Sequence, residues 1–168
     1  MTNPNLKFES CCSIDSPVGA INIFSSAGAV VHLTMGDSPV ATIGNDPVLS
    51  RAANQLNAHF SGASKTLDFP VATSGTAFQE AVWAQIAKVP FGQTVSYADI
   101  AAAIGKPKAS RAVGGAVGAN PVPLVIGCHR VMGVSGRITG YSGGAGIPTK
   151  RWLLSHEGID RKSTRLNS

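Results

Sequence analysis

The chain has few cysteines, few charged residues and no long apolar run. Three cysteines among 168 residues cannot form the disulfide framework that stabilises many small secreted proteins. Hydrophobic residues make up 43% and charged residues 14%, a composition that excludes an intrinsically disordered protein. No apolar stretch approaches the roughly 20 residues of a membrane-spanning helix, and residues 1–10 have no signal-peptide pattern. We therefore expect a soluble, cytoplasmic protein without a membrane partner.

Positive charge is concentrated in the second half of the chain. The formal net charge is +5, from 14 basic and 9 acidic residues. Residues 1–75 have a net charge of −2, whereas residues 76–159 have a net charge of +5. This asymmetry is typical of a polyanion-binding domain joined to a domain that does not bind. Surface charge that only keeps the protein in solution is the alternative.

The first half predicts a strand meander followed by a helix. Short apolar runs at residues 12–14, 20–24 and 29–35 are separated by turn residues, which favours antiparallel strands. Apolar positions over residues 46–60 follow a helical period, with Pro47 at the start.

A domain boundary is expected near Gly75, because residues 61–75 predict a loop or extended segment. The predicted domains are therefore residues 1–75 and 76–159. Residues 160–168 have no hydrophobic period and predict a non-native or disordered tail.

The second half predicts three helices, over residues 76–88, 97–104 and 109–119, the second capped by Ser96. A short turn joins the second helix to the third, which favours a helix-turn-helix unit. The third helix contains three glycines, each of which costs about 1 kcal/mol relative to alanine. Such a helix suits a surface that another molecule approaches closely.

Residues 120–132 form a strand-like apolar run that ends in reactive residue types. Two prolines prevent regular strand pairing in its first part, so the course of the backbone is fixed. A free cysteine is usually a buried hydrophobic residue. However, Cys128 is followed at once by His129 and Arg130, and such a series predicts the edge of a pocket.

Several segments together resemble one protein family. They are Tyr97 and residues 108–115 (KASRAVGG), 120–123 (NPVP), 128–131 (CHRV), 140–144 (GYSGG) and 150–157 (KRWLLSHE). Their order and spacing are similar to those of the O6-alkylguanine-DNA alkyltransferases, over about residues 12–159. The resemblance implies an α+β fold, with an N-terminal ribonuclease H-like sheet domain and a C-terminal winged-helix-like domain.

The resemblance also implies an activity. The protein would be a monomer that binds double-stranded DNA in the minor groove, flips out an O6-alkylguanine and transfers the alkyl group to its own cysteine, with no cofactor. The product bond would be a thioether, which has no carbonyl for water to attack. We therefore expect one turnover per molecule.

Catalytic roles follow from the motif positions. A thiolate is the best side-chain nucleophile for an sp3 carbon, and Cys128 supplies it. His129 is the implied base, acting through a water molecule, and Glu157 is the carboxylate that orients its imidazole. A surface carboxylate at a helix end is the alternative for Glu157. Tyr97 is the implied proton donor to the leaving guanine, and Asn120 is expected to hold the reactive loop by hydrogen bonds.

DNA contacts and pocket walls are assigned in the same way. Arg111 is the implied side chain that fills the place of the flipped base. The other predicted DNA-binding residues are Ala112, Gly115, Ala116 and Arg130. Arg130, Lys106, Lys108 and Arg137 are candidate phosphate contacts, with structural cations or solvated surface charges as the alternatives. The predicted walls of the base pocket are Pro123, Val131, Tyr141 and Ser142.

Gly127 departs from the family pattern, in which proline commonly precedes the nucleophile. Glycine loosens the backbone where rigidity positions the sulfur. We therefore expect lower reactivity or stability than in a Gly127→Pro variant.

A metal site and three other functions are the alternatives to this hypothesis. The candidate ligands Cys11, Cys12, His32 and His59 have no familiar zinc spacing, so no metal is expected. A non-catalytic, alkyltransferase-like protein that only binds lesions would lack the nucleophile that Cys128 provides. A cysteine hydrolase would need an oxyanion hole for which there is no signal, and a winged-helix regulator would not need the Cys-His-Arg series.

Overall fold

A computed structural model describes residues 5–159, which divide into two compact units between Thr73 and Ser74. The first unit contains β1 (Ser10–Ile14), β2 (Ile21–Ser26), β3 (Ala29–Met35) and α1 (Pro47–Ser61). The second unit contains α2 (Ala77–Ala87), β4 (Val95–Ser96), α3 (Tyr97–Ala103), α4 (Ser110–Gly118), β5 (Val131–Met132) and α5 (Ile147–His156). The predicted tail at residues 160–168 lies outside the described residues. Within the described part of the chain, no helix is long and apolar enough to span a bilayer.

The first unit is a three-stranded antiparallel sheet covered by α1. Strands pair in the order β1-β2-β3, with Ile23 opposite both Cys12 and Leu33, which confirms the predicted meander. Helix α1 begins after Asp46, whose carboxylate accepts a hydrogen bond from the Val48 amide. These features confirm an α/β unit with a small antiparallel sheet, whereas the ribonuclease H-like description stays a prediction.

Local capping signals determine where the helices of the second unit start. Thr76 and Gln79 form a capping box at α2, and Ser96 and Asp99 form one at α3. The three predicted helices are confirmed, with ends that differ from the expected ones by at most one residue. The buried indole of Trp83 donates a hydrogen bond to the Ala116 carbonyl at 2.8 Å, and this bond joins α2 to α4. The winged-helix-like description of this unit stays a prediction.

The prediction of a strand-like run over residues 120–132 is wrong for most of its length. Only Val131–Met132 form a strand, paired in parallel with β4, and Cys128–Arg130 form a 3-10 turn. Gly127, at φ −71° and ψ 63°, is the centre of an inverse γ-turn in which the Cys128 amide donates to the Ile126 carbonyl at 2.7 Å. Leu124 has φ 76°, which is rare for a bulky residue, so surrounding contacts hold this loop in a strained conformation.

Candidate active site

Cys128 lies at a small cavity in the second unit. Its side chain is buried, with 4% of its surface exposed. The cavity has a volume of about 200 Å³. Its lining residues are Tyr97, Gly114, Val117, Gly118, Cys128, Thr139, Gly140, Tyr141 and Ser142. Helices α3 and α4 and the loop before α5 therefore surround the sulfur.

The surroundings of Cys128 act on its pKa in opposite directions. Burial raises the pKa of the thiol, whereas the Asn120 and Tyr141 side chains and the Lys150 charge favour the thiolate. The pKa of Tyr141 is raised well above its usual range, by burial and by Cys128, so its phenol stays protonated beside the sulfur. Cys128 is therefore a thiol at rest, and the neighbouring groups help it to ionise.

Asn120 holds the loop that precedes the nucleophile. Its Nδ2 donates to the Ile126 carbonyl at 2.7 Å, and its Oδ1 accepts from the Val122 amide at 3.0 Å. Both contacts lie within the segment that turns back to present Cys128. Asn120 thus makes the kind of loop-holding hydrogen bonds that its motif position implies.

His129 and Glu157 form a buried acid–base pair. His129 Nε2 lies 2.5 Å from Glu157 Oε2, and each side chain is 1% exposed. Burial raises the pKa of Glu157, but hydrogen bonds from His129 and Arg130 outweigh it and hold that pKa at about 2. The ionised Glu157 accepts the Nε2 proton, so Nδ1 carries the imidazole lone pair. The surface alternative for Glu157 is therefore excluded.

The lone pair of His129 is available for proton transfer. Among the described residues, Nδ1 has no hydrogen-bond partner although it is buried. Burial lowers the pKa of His129, which keeps the imidazole neutral. A neutral imidazole with a free acceptor can take a proton from a nearby group, directly or through water.

Arg130 does not lie on a DNA-facing surface, and its prediction as a DNA contact is wrong. The residue is 8% exposed. Its guanidinium donates to both Glu157 oxygens, at 2.9 to 3.1 Å, and to the Val89 carbonyl at 3.0 Å. These bonds hold the carboxylate that in turn holds His129. The prediction of a pocket edge therefore applies to Cys128 and not to the two residues after it.

Helix α4 has one open face and one packed face. Arg111, Ala112 and Gly115 are exposed, as predicted for a contact surface. Ala116 is 4% exposed and packs in the core with Trp83, so its prediction as a DNA contact is wrong. A Cβ atom at Gly115 would meet no atom within 4 Å, which leaves this face open to another molecule.

A larger cleft adjoins the thiol cavity. Its volume is about 700 Å³. The two cavities share Tyr97, Gly114 and Thr139, and Arg111 and Arg137 line the outer cleft. The Thr139 hydroxyl donates to the Tyr97 hydroxyl at 3.5 Å, so both groups lie where the two cavities meet. A chain with negative charge could follow the cleft while one of its groups enters the inner cavity.

The predicted walls of the pocket divide into two groups. Tyr141 and Ser142 line the thiol cavity, and the Ser142 hydroxyl donates to the Gly118 carbonyl at 3.2 Å. Pro123 and Val131 are buried and are not among the residues that line this cavity, so their role as walls of the base pocket stays a prediction. Both residues lie in the reactive loop, and both side chains are buried in the protein interior.

Sequence reasoning missed Thr139 and Lys150. Thr139 is one small residue in an irregular loop, and no pattern identifies it. Lys150 is 1% exposed in α5. Together with Leu153, Leu154 and Glu157 it follows the i, i+3, i+4, i+7 period of a buried helix face, which could have predicted its burial.

Metal ligands are not grouped in the part of the chain that the structure describes. Within residues 5–159, no three His, Cys, Asp or Glu side chains come together as a possible metal site.

Comparisons with known proteins agree with this geometry. Residues 77–159 match the family model for the DNA-binding domain of 6-O-methylguanine DNA methyltransferase. The methylated-DNA–protein-cysteine methyltransferase of Methanosarcina barkeri is 40% identical over 150 residues, which cover 86% of this chain and 94% of the relative. The constitutive enzyme of that name from Bacillus subtilis is 45% identical over 116 residues, which cover 69% of this chain and 70% of the relative.

Solved structures give the same result. The crystal structure of Mycobacterium tuberculosis O6-methylguanine methyltransferase has a TM-score of 0.78 and 39% identity, covering 88% of this chain and 91% of the other. That of M. tuberculosis OGT in complex with DNA has a TM-score of 0.77 and 39% identity, covering 90% of this chain and 92% of the other. The chain therefore belongs to the methylated-DNA–protein-cysteine methyltransferase family.

Proposed function

We propose that this methyltransferase repairs DNA by moving an alkyl group from O6 of guanine to the sulfur of Cys128. The observation that carries the proposal is the position of that sulfur, buried at a cavity of about 200 Å³ and followed in the chain by His129, which pairs with the buried Glu157. The names of the relatives support the same activity. The known complex of an M. tuberculosis neighbour with DNA supports DNA as the partner.

The reaction starts with removal of the thiol proton. Because burial raises the pKa of Cys128, the thiol needs a base. His129 Nδ1, which has no hydrogen-bond partner within the described residues, accepts the proton through a bridging water molecule. Glu157 stabilises the imidazolium that forms, since its carboxylate lies 2.5 Å from Nε2.

Transfer exchanges one bond for another. The sulfur attacks the alkyl carbon, an S–C bond forms, and the C–O6 bond breaks with its electron pair going to oxygen. Tyr97, which lines both cavities, donates a proton to the guanine as charge develops on the ring. The thioether product is stable to water, so each molecule reacts once.

The alkylated guanine reaches Cys128 after it has flipped out of the DNA double helix. The lesion lies in duplex DNA, and the protein, acting as a monomer, enters the minor groove with the open face of α4. Arg111 fills the space left in the base stack. Ala112 and Gly115, both exposed, allow the helix to approach the groove closely.

The deciding experiment is intact-mass analysis after incubation with duplex DNA that contains O6-methylguanine. We expect each protein molecule to gain one methyl group, mapped to Cys128. Cys128→Ala should abolish the gain, whereas Cys12→Ala, which changes a half-buried thiol in the first unit, should retain it. A folded protein that binds the lesion but gains no methyl group would instead be a non-catalytic lesion-binding protein.

A further inference from the structure

Lys150 is a buried cation that the reaction described above does not use. It lies in α5, is 1% exposed, and donates from Nζ to the Val131 carbonyl at 2.6 Å and to the Gly140 carbonyl at 3.2 Å. Within residues 5–159 it forms no ion pair with a carboxylate. A buried charge without an opposite charge is costly. The ammonium of Lys150 therefore favours any nearby group that gains a negative charge.

The titratable groups around the thiol differ in the charge that they can add near Lys150. The buried or half-buried titratable groups of the site, apart from Lys150, are Tyr97, Cys128, His129, Arg130, Tyr141 and Glu157. The Tyr97 hydroxyl accepts a hydrogen bond from the Thr139 hydroxyl where the two cavities meet. Glu157 and Arg130 neutralise each other in their ion pair. Burial keeps the His129 imidazole and the Tyr141 phenol uncharged. Cys128 gains a negative charge when its thiol ionises, and the charge of Lys150 favours that thiolate.

The two hydrogen bonds of Lys150 also join two walls of the thiol cavity. Val131 follows the 3-10 turn that contains Cys128, and Gly140 directly precedes Tyr141. One ammonium thus bonds to the segment that carries the nucleophile and to the segment that carries the phenol beside it. A change of side chain at this position acts on both segments.

We propose, building on the proposed function, that Lys150 is a positioning residue for alkyl transfer: its buried ammonium stabilises the Cys128 thiolate and fixes the segments that carry Cys128 and Tyr141. Lysine keeps its own proton throughout. The thiol proton leaves toward His129, and the bonds that form and break are those of the transfer itself.

The test measures ionisation of the thiol without DNA or alkylguanine. The rate constant for alkylation of Cys128 by iodoacetamide is followed against pH, with peptide mass spectrometry to separate Cys128 from Cys11 and Cys12. We expect Lys150→Met to raise the apparent pKa of the thiol by about one unit and to slow alkylation near neutral pH about tenfold. Lys150→Arg keeps the charge and should restore most of the rate. Lys88→Met, at an exposed lysine, is the matched control and should leave the profile unchanged.

Two results would overturn the proposal. The first is an unchanged pH profile in a folded Lys150→Met variant, even if its melting temperature falls, because that lysine would then be structural only. The second covers a Lys150→Met variant that does not fold. Lys150→Gln lacks the charge but keeps a hydrogen-bond donor for the Val131 and Gly140 carbonyls. It should show the same rise in thiol pKa and the same slower alkylation, and a wild-type pH profile in this variant contradicts the proposal.

Both measurements use small reagents. A protein that fails to demethylate DNA would refute the proposed function and still answer the question about Lys150.

Discussion

At the scale of single residues, the Glu157 side chain connects three separate parts of the site. Its carboxylate accepts hydrogen bonds from His129, from Arg130 and from the Gly92 amide at 2.8 Å. It stands at the C-terminal end of α5, where the chain would otherwise be free to fray. The stability of the fold and the orientation of the base therefore depend on one ionised group.

The pH dependence of stability should reveal this group. The pKa of Glu157 is about 2 in the folded protein against an ordinary value of 4.5, so its contribution is fully present above pH 4.5 and is lost as the pH falls through 2. We expect Glu157→Gln to lower the free energy of unfolding near neutral pH and to flatten its decline between pH 4.5 and 2. Urea unfolding at a series of pH values measures both.

Asp15→Asn is the control for that experiment, because Asp15 is an exposed carboxylate of the first unit. Its curve should run parallel to that of the wild-type protein. A Glu157→Gln curve that also runs parallel would show that the buried carboxylate contributes nothing.

Gly127 offers a second test at this scale. Its φ of −71° is the value that proline prefers, but a Cβ atom there would lie 2.8 Å from Arg130 Nη1. Alanine and proline both add that atom, so their difference isolates the rigid ring. We expect Gly127→Pro to be more stable than Gly127→Ala by about 0.4–1 kcal/mol and to react faster, as thermal unfolding and O6-benzylguanine kinetics would show. Equal stabilities and rates would refute the argument from preorganisation.

At the scale of elements, α4 combines poor helix formers with an open surface. Gly115 is not at a positive φ, and no atom would meet a Cβ there. The glycine therefore weakens the helix, and no contact within the protein requires it. If DNA approaches this helix closely, a larger residue at position 115 should stabilise the protein but weaken DNA binding.

Gly115→Ala should separate those effects. We expect the variant to be more stable by up to about 1 kcal/mol, from helix propensity, and to bind lesion-containing duplex more weakly. Its rate with free O6-benzylguanine should be unchanged, because that substrate needs no helix docking. Thermal unfolding, fluorescence anisotropy and intact mass measure the three quantities, and an unchanged DNA affinity would place the contact elsewhere.

Elements with local signals could be predicted from the sequence, and elements fixed by distant contacts could not. Pro47, Thr76 and Ser96 mark helix starts within a few residues, and the structure agrees. The turns before Cys128 depend instead on Asn120 and on a positive φ at Leu124, which no periodicity reveals.

Site residues followed the same rule. Motif positions named His129 and Glu157, which form a buried pair in the structure, but the inward direction of Arg130 depends on a carboxylate 27 positions away. Side chains of Pro123 and Val131 could not be placed because the path of their loop was not known.

At the scale of the whole molecule, fewer of the basic residues among residues 76–159 are exposed than the sequence suggests. Of the eight basic residues among residues 76–159, Arg130 and Lys150 are buried. Lys106, Lys108, Arg111 and Arg137 are exposed and remain to act on a polyanion.

The salt dependence of DNA affinity should show which of these exposed charges contact DNA. We expect the logarithm of DNA affinity to fall linearly with the logarithm of salt concentration, and Lys108→Ala to reduce the slope by about 1. Lys7→Ala, at an exposed lysine of the first unit, should leave the slope unchanged. Anisotropy titrations over a range of salt concentrations measure both, and equal slopes for the two variants would remove Lys108 from the interface.

The bond between Trp83 and the Ala116 carbonyl gives the protein a built-in optical reporter. The chain has two tryptophans, so in a Trp152→Phe background the emission comes from Trp83 alone. Its indole is attached to the backbone of α4, the helix assigned to the groove. Any displacement of that helix by DNA would alter the fluorescence, and stopped-flow mixing could then time the docking of the helix separately from the slower chemistry, without an added dye.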